Sequence, residues 1–252
     1  IDLGVGDAAL VGEQRLDDIA DDGAILRTHV MRPTWHFVLP QDLRWLLALT
    51  APRVQAANRA RYVELGLDDA TRDRGREVIH RAIAGNGPLP RKAIGEALAA
   101  AGIDPSGQRL AYQLMDAELE RVVCSGPRQG KQHTYALFDE RVPPEPERDR
   151  DAMLAELASR YVASHGPVTP HDVAWWSGLT VRDARNGLAL AGDQLACVEI
   201  DGSEWWLAPG DAPARPDAPT VHLLQPWDEY ALGFRDHNPV WLPEARAMQH
   251  PK

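Results

Sequence analysis

Two short stretches concentrate the side chains that could do chemistry. Arg32-Pro33-Thr34-Trp35-His36-Phe37-Val38 sets a guanidinium and an imidazole among aromatic rings. Trp227-Asp228-Glu229-Tyr230-Ala231-Leu232-Gly233-Phe234-Arg235 sets two carboxylates and a phenol between an indole and a second guanidinium. In the first stretch, alternation predicts Trp35 and Phe37 in a core, with Arg32 and His36 exposed on the other strand face. Cations so placed suit phosphates or base edges. In the second, a carboxylate beside Tyr and Trp could orient a water or offset positive charge developing on a substrate, which makes Asp228, Glu229 and Tyr230 the catalytic candidates. Asp228 and Glu229 are adjacent, so on a strand they point to opposite faces and do not form a catalytic pair. An internal ion pair with Arg235 is the competing reading.

The segment Arg128-Gln129-Gly130-Lys131-Gln132-His133 is a basic, glycine-containing loop between strand-like runs. Such a hairpin loop can carry Arg128, Lys131 and His133 to backbone phosphates, or it can be a solvated turn; both readings stand at this point. Arg109 and Gln113 fall i, i+4 on one helix and read equally as groove-facing or as scaffold. Trp175-Trp176 and Trp205-Trp206 resemble stacking platforms, but each pair is expected to give one ring to a core and leave the other partly exposed. His80, His171 and His237 have no metal-ligand spacing, and no Walker loop, Rossmann glycine fingerprint or GxSxG is present. The expectation is a protein with no metal and no cofactor.

These groups need elements to position them. From Asp73 to Ala84, Val78, Ile79, Ala82 and Ile83 mark an amphipathic helix that Gly85-Asn86-Gly87-Pro88 stops. Pro90 opens a second helix over Arg91 to Ala101, and Ser106 caps a third with Leu110, Leu114 and Leu119 as its buried stripe. Val122-Val123-Cys124 and Thr134 to Phe138 then form a hairpin. The order repeats: a helix over Met153 to Ser164, a short one after Thr169-Pro170, a third over Thr180 to Ala191, and strands Leu195 to Ile200 and Ser203 to Leu207 joined at Asp201-Gly202. The stopping Gly87-Pro88 and Gly166-Pro167 pairs mark one module per period. Leu16 to Ala20, Ile25 to Val30 and Trp35 to Leu39 fit the remnant of a further copy, and Val221 to Leu224 begins a strand. The fold class is therefore α+β, mainly α: tandem winged-helix modules with the start of a small C-terminal β-domain. The boundaries are a partial first winged helix over 1–65, a second over 66–142, a third over 148–208, and an incomplete β-domain over 219–252. Proline-rich breaks at Val142 to Pro146 and Pro209 to Pro219 separate them. The abrupt opening at Ile1 and the short tail after Pro243 suggest a piece of a larger protein.

Composition describes an ordinary soluble domain protein, 44% hydrophobic and 25% charged, with no apolar run long enough to span a bilayer and no leader. The cytoplasm is the default location. Cys124 and Cys197 read as buried thiols. The net charge of −10 points away from nucleic acid. It is uneven, however: residues 1–65 carry 7 basic and 9 acidic side chains, 66–139 carry 10 and 10, and 140–252 carry 10 and 18, giving −2, 0 and −8. A nucleic-acid face must be local.

Together with Ala174-Trp175-Trp176-Ser177-Gly178-Leu179, the two opening stretches resemble the AlkZ-like winged-helix family of bacterial alkylpurine and interstrand-crosslink DNA glycosylases, in the right order and across nearly the whole chain. The resemblance implies three tandem winged helices forming a concave scaffold, a lesion-containing double-stranded DNA partner, a monomer, and water attack at C1′ of a nucleotide whose alkylated purine is a cationic leaving group. It places Arg32 and His36 near the DNA cleft, with Arg109, Gln113, Arg128, Lys131, His133 and Arg235 as the other DNA-facing candidates. It also implies a Gln-x-Gln or Gln-x-Asp pair that holds the water, upstream of the segment matching Ile1 to Arg32. Gln14, before Arg15, stands alone. The alternative is a non-catalytic tandem winged-helix DNA-binding protein or transcriptional regulator; a third reading is a set of acidic modules that contact only proteins.

Overall fold

A computed structural model of the chain describes residues 16–200, 202–210 and 228–235. They fall into two compact units that meet at Arg148/Asp149. His237, Gln14, the Val221 to Leu224 run and most of the second proline-rich break lie outside the described residues, as does Trp227.

The first unit starts with a short helix, α1 (Leu16–Asp21), and a hairpin of β1 (Leu26–Val30) and β2 (Arg32–Val38). Only Met31 separates the two strands, at φ 63°, a left-handed conformation that costs a non-glycine residue on the order of 1–2 kcal/mol. Its N–H donates to the Thr50 hydroxyl at 3.2 Å, which pins the turn to the next element. That element is α2 (Pro40–Glu64), a 25-residue helix with Pro at N1. It buries Leu43, Trp45, Leu46, Leu47, Leu49 and Val54. No amphipathic stripe announces it, because its first half is buried on nearly all sides, and Pro52 in its middle reads as a breaker.

Three helices and a three-stranded sheet follow: α3 (Asp69–Asn86), β3 (Leu89–Pro90), α4 (Arg91–Ala100), α5 (Arg109–Leu119), β4 (Val123–Gln129) and β5 (Gln132–Leu137), with sheet order β3-β5-β4. This is the helix–helix–helix–hairpin order expected for residues 66–142. The Asp68 side chain caps α3 by accepting from the Thr71 N–H at 2.8 Å. Ser106 does not cap α5; its hydroxyl bonds Asp104, and Gln108 holds the N-cap position without a side-chain capping bond, its side chain accepting from Arg61 instead. Ile79, Ile83, Ile94, Leu98, Leu114, Ala117 and Val123 form one core between the helices and the sheet. The short α6 (Phe138–Arg141) closes the unit.

The second unit packs α7 (Arg150–His165), α8 (Pro170–Ser177) and α9 (Val181–Leu190) beside the hairpin β6 (Ala196–Ile200) and β7 (Ser203–Leu207). Thr169 and Asp172 form a reciprocal capping box at the start of α8, and Gly178 ends it in the left-handed conformation. Gly187 is where α9 approaches α7: a Cβ there would lie 2.6 Å from the Leu154 carbonyl oxygen. Gly187→Ala is therefore expected to cost about 1–3 kcal/mol, the cost of overpacking outweighing the helix-propensity gain of about 1 kcal/mol. Urea denaturation checks this, and an unchanged or raised midpoint contradicts it.

Two burial expectations change. Cys124 is buried, and burial pushes its thiol up to about 12, but Cys197 is exposed because β6 belongs to a two-stranded hairpin with an open face. On β2 it is Trp35 and Phe37 that are exposed, while His36 and Arg32 are half-buried, the reverse of the alternation reading. The bulge between His29 and Val30 shifts the register of the hairpin, and its core-facing side is supplied mainly by β1, where Leu26, Thr28 and Val30 are fully buried.

Candidate nucleic-acid interface

Three elements of the first unit converge on one open groove. β1 and β2 bring Arg27 and Trp35, the start of α4 brings Arg91 and Lys92, and the hairpin β4–β5 brings Lys131 and His133, around a cavity of about 640 Å³ that Tyr135 and Leu110 also line. Four permanent cations and an imidazole line it, and no lining residue is acidic. In a chain of net charge −10, this is the local positive surface that composition requires of a nucleic-acid binder.

The local sequence explains the convergence. Gly130, at φ 63°, and Lys131 form the two-residue tip of the β4–β5 hairpin, with Gln129 paired to Gln132, so Lys131 is carried to the extremity. Arg91 and Lys92 open α4 directly after its N-cap Pro90, with no acidic residue in the first turn. Cations there oppose the helix dipole, at a cost of a few tenths of a kcal/mol to ~1 kcal/mol each, and add to the positive end that free N–H groups already present. Lys92 has an exposed neighbour in Glu96 at 3.8 Å, a weak surface pair.

Lys131 and His133 both line the groove; the other candidates do not join them. Arg128 turns away: its guanidinium makes paired hydrogen bonds to Asp21 (Nε to Oδ2 3.0 Å, Nη2 to Oδ2 2.8 Å), and Arg128 in turn holds the Asp21 carboxyl below its usual range. Arg109 donates to the Leu65 carbonyl at 3.0 Å and bridges Ser106 and Asp104, tying α5 to the end of α2. Gln113 is fully buried, its amide directed at the Thr71 carbonyl at 3.4 Å, so it cannot face a groove. It faces inward because Gly75 leaves room for it on α3. Arg32 and His36 are on the strand that carries Trp35, where His36 bonds Thr34 at 2.9 Å, but neither lines the cavity. Arg27, Trp35, Arg91 and Lys92 enter the site without having been singled out as cations or as a groove-facing ring.

Asp228, Glu229, Tyr230 and Arg235 belong to the second unit. The pair begins a short helix, α10 (Glu229–Leu232), rather than lying on a strand: Asp228 is its N-cap and accepts from the Tyr230 N–H at 3.0 Å. Glu229 accepts from the Trp176 indole N–H and lies 3.6 Å from His165, whose ring stacks on Tyr161 with centroids 4.5 Å apart. The Tyr161 hydroxyl donates to the Gly233 carbonyl at 2.6 Å, Trp175 donates to the Leu232 carbonyl at 3.1 Å, and the Arg235 N–H donates to Asp172 at 2.9 Å. These bonds fasten residues 228–235 across α7 and α8; the ion pair expected between a carboxylate and Arg235 is replaced by a backbone bond to Asp172. Tyr230 is exposed. Of the tryptophan pairs, Trp176 is buried with Trp175 exposed, whereas Trp205 and Trp206 are both half-buried.

The family model "DNA glycosylase AlkZ-like" matches residues 9–249. Among solved structures, Streptomyces sahachiroi DNA glycosylase AlkZ is similar, at 22% sequence identity and a TM-score of 0.74, over 92% of this chain. This chain spans 66% of that one, so it corresponds to part of the larger molecule. No curated protein matches.

Proposed function

Since this chain belongs to the AlkZ-like DNA glycosylase family, we propose that it binds lesion-containing double-stranded DNA through the basic groove of its first unit, as part of a monomeric, cytoplasmic repair enzyme that hydrolyses the N-glycosidic bond of alkylated purines. The observation that carries this reading is the groove itself, four cations and an imidazole with no acidic lining residue. Arg91, Lys92 and Lys131 take backbone phosphates, which position the duplex without reading its sequence. His133, at the mouth, adds a hydrogen bond.

An N7- or N3-alkylated purine carries positive charge and leaves readily, so the chemistry asks for a placed water and for stabilisation of an oxocarbenium-like sugar rather than for a strong general acid. No residue of this chain is assigned the water. Asp228 and Glu229 are occupied in holding residues 228–235 to α7 and α8, and we give them that structural role rather than a catalytic one. The second reading, a DNA-binding protein without catalysis, draws on the same groove.

Base release from a duplex containing N7-alkylguanine, measured together with binding in the same samples of the full-length protein, tests the proposal. Free alkylpurine above the spontaneous rate supports the glycosylase. Binding without release selects the non-catalytic reading, and no binding at low salt removes both.

A further inference from the structure

Trp35 is a large aromatic side chain left 39% exposed at the edge of the groove, with Arg27 laid over its ring, the guanidinium carbon 4.1 Å from the centroid. Other arginines of this unit are matched with carboxylates: Arg128 with Asp21, Arg72 and Arg76 with Asp116, Arg44 with Asp139. Among the described residues Arg27 makes no ion pair at contact distance; the carboxylate that feels its charge is the buried Glu118, in a chain where acids outnumber bases 37 to 27. Its backbone N–H donates to the Ser125 hydroxyl at 2.9 Å, which fixes its strand against β4. A guanidinium held over an indole face by the cation–π attraction keeps N–H donors available, and a guanidinium can receive a phosphate on two parallel hydrogen bonds.

Beneath the indole lies a second arrangement that packing alone does not demand. The His29 ring contacts the Trp35 ring with centroids 4.0 Å apart, and its Nδ1 lies 2.5 Å from Glu118 Oε2. Glu118 is fully buried and accepts at its other oxygen from the Thr28 hydroxyl at 3.2 Å. Burial drives the Glu118 carboxyl above its ordinary range, opposed by the bonds from His29 and Thr28. Burying such a pair is costly, and an apolar replacement of similar volume commonly serves stability as well or better. What the pair supplies is orientation: it fixes the imidazole against which the indole rests.

We propose that Trp35 is a positioning residue for DNA binding, its indole holding the Arg27 guanidinium as a phosphate-receiving fork and itself held by the buried Glu118–His29 pair. This rests on the reading of the groove as the DNA-binding face. Arg27 supplies the charge and the hydrogen bonds; Trp35 supplies the plane that keeps them in place.

The test is the salt dependence of binding to an undamaged duplex by the full chain, for Arg27→Ala, Trp35→Leu, the double variant, Trp35→Phe and Lys131→Ala. Each lost phosphate contact lowers the slope of log K against log salt by about 0.9. Arg27→Ala is expected to lower it by about one, and Trp35→Leu by the same amount although it removes no charge. The double variant is expected to show no further loss, and Trp35→Phe, which keeps a ring beneath the cation, to restore the slope. Trp35→Met gives the same readout should Trp35→Leu not fold. If Arg27→Ala lowers the slope and Trp35→Leu weakens binding at constant slope, or not at all, the indole is only packing and the inference is overturned. If neither Arg27→Ala nor Lys131→Ala moves the slope, the groove reading itself fails.

Discussion

Asp116→Ala is expected to destabilise the first unit by about 3 kcal/mol, the low end of the cost of breaking a buried ion pair, because each guanidinium it meets keeps a second carboxylate, Asp69 for Arg72 and Asp73 for Arg76. Asp116 lies on α5 with no exposed surface and receives Arg72 at 2.6 Å and Arg76 at 2.5 Å, both from α3, together with the Gln55 amide from α2 at 3.1 Å. One carboxylate thereby joins three helices. Arg72 is further held by the face of the Tyr62 ring, 4.3 Å from its guanidinium carbon. Without the carboxylate, two part-buried guanidinia one turn apart on α3 keep only their exposed partners, Asp69 and Asp73. For a unit of this size the loss corresponds to a fall in melting temperature of roughly 10 °C or more. Asp116→Asn, which keeps an acceptor, is expected to lose less. The comparison variant is Asp139→Ala: its bond to Arg44 is at 2.7 Å, but the carboxylate is largely exposed, so a loss within about 1 kcal/mol is expected. Thermal and urea unfolding of the three variants measure this, and an Asp116→Ala loss no larger than that of Asp139→Ala would refute the account.

That junction also shows where sequence reading stops. α3, α4, α5, α7, α8 and α9 were each legible, because their ends carry local signals: Pro90 and Thr169-Pro170 at starts, Gly87 and Gly178 at ends, and isoleucines or leucines at helical spacing between. Both hairpins were legible from Gly130 and from Asp201-Gly202 between strand-like runs. α2 was not, because near-complete burial of its first half erases the period that identifies a surface helix, and Pro52 in its middle reads as a breaker. Asp228-Glu229, weighed in the sequence only for a strand setting, opens a helix, and the Asp before its first turn and the Gly after Leu232 are its start and stop marks. For the site, a local basic cluster was read without its distant partners. Arg128 is neutralised by Asp21, 107 residues away, a pairing that no window on the sequence contains. Conversely, Arg91 and Lys92 carried a usable signal, two cations opening a helix against its dipole. Arg27 carried none, since only the fold lays it on Trp35.

The corrected set of groove residues makes the second large prediction. Replacing Arg91, Lys92 and Lys131 together by alanine is expected to lower the salt slope of duplex binding by about 2.7 and to weaken affinity by on the order of 10²–10³-fold at ~0.1 M salt. The effect is large because the rest of the chain does not compensate: residues 140–252 carry 10 basic against 18 acidic side chains, and at that salt the field of the groove is screened within about 10 Å. Attraction must therefore come from cations in contact with phosphate. The contrast is with Arg128→Ala and Arg109→Ala, which remove equally many formal charges per residue but from guanidiniums already bonded within the protein. Those variants are expected to lower the unfolding midpoint and leave the slope unchanged. The two outcomes separate a surface that binds because of its net charge from one that binds because its cations line one groove that no carboxylate lines. Equal slopes for the triple variant and for Arg128→Ala would mean that the β4–β5 hairpin as a whole, and not the groove, meets the duplex.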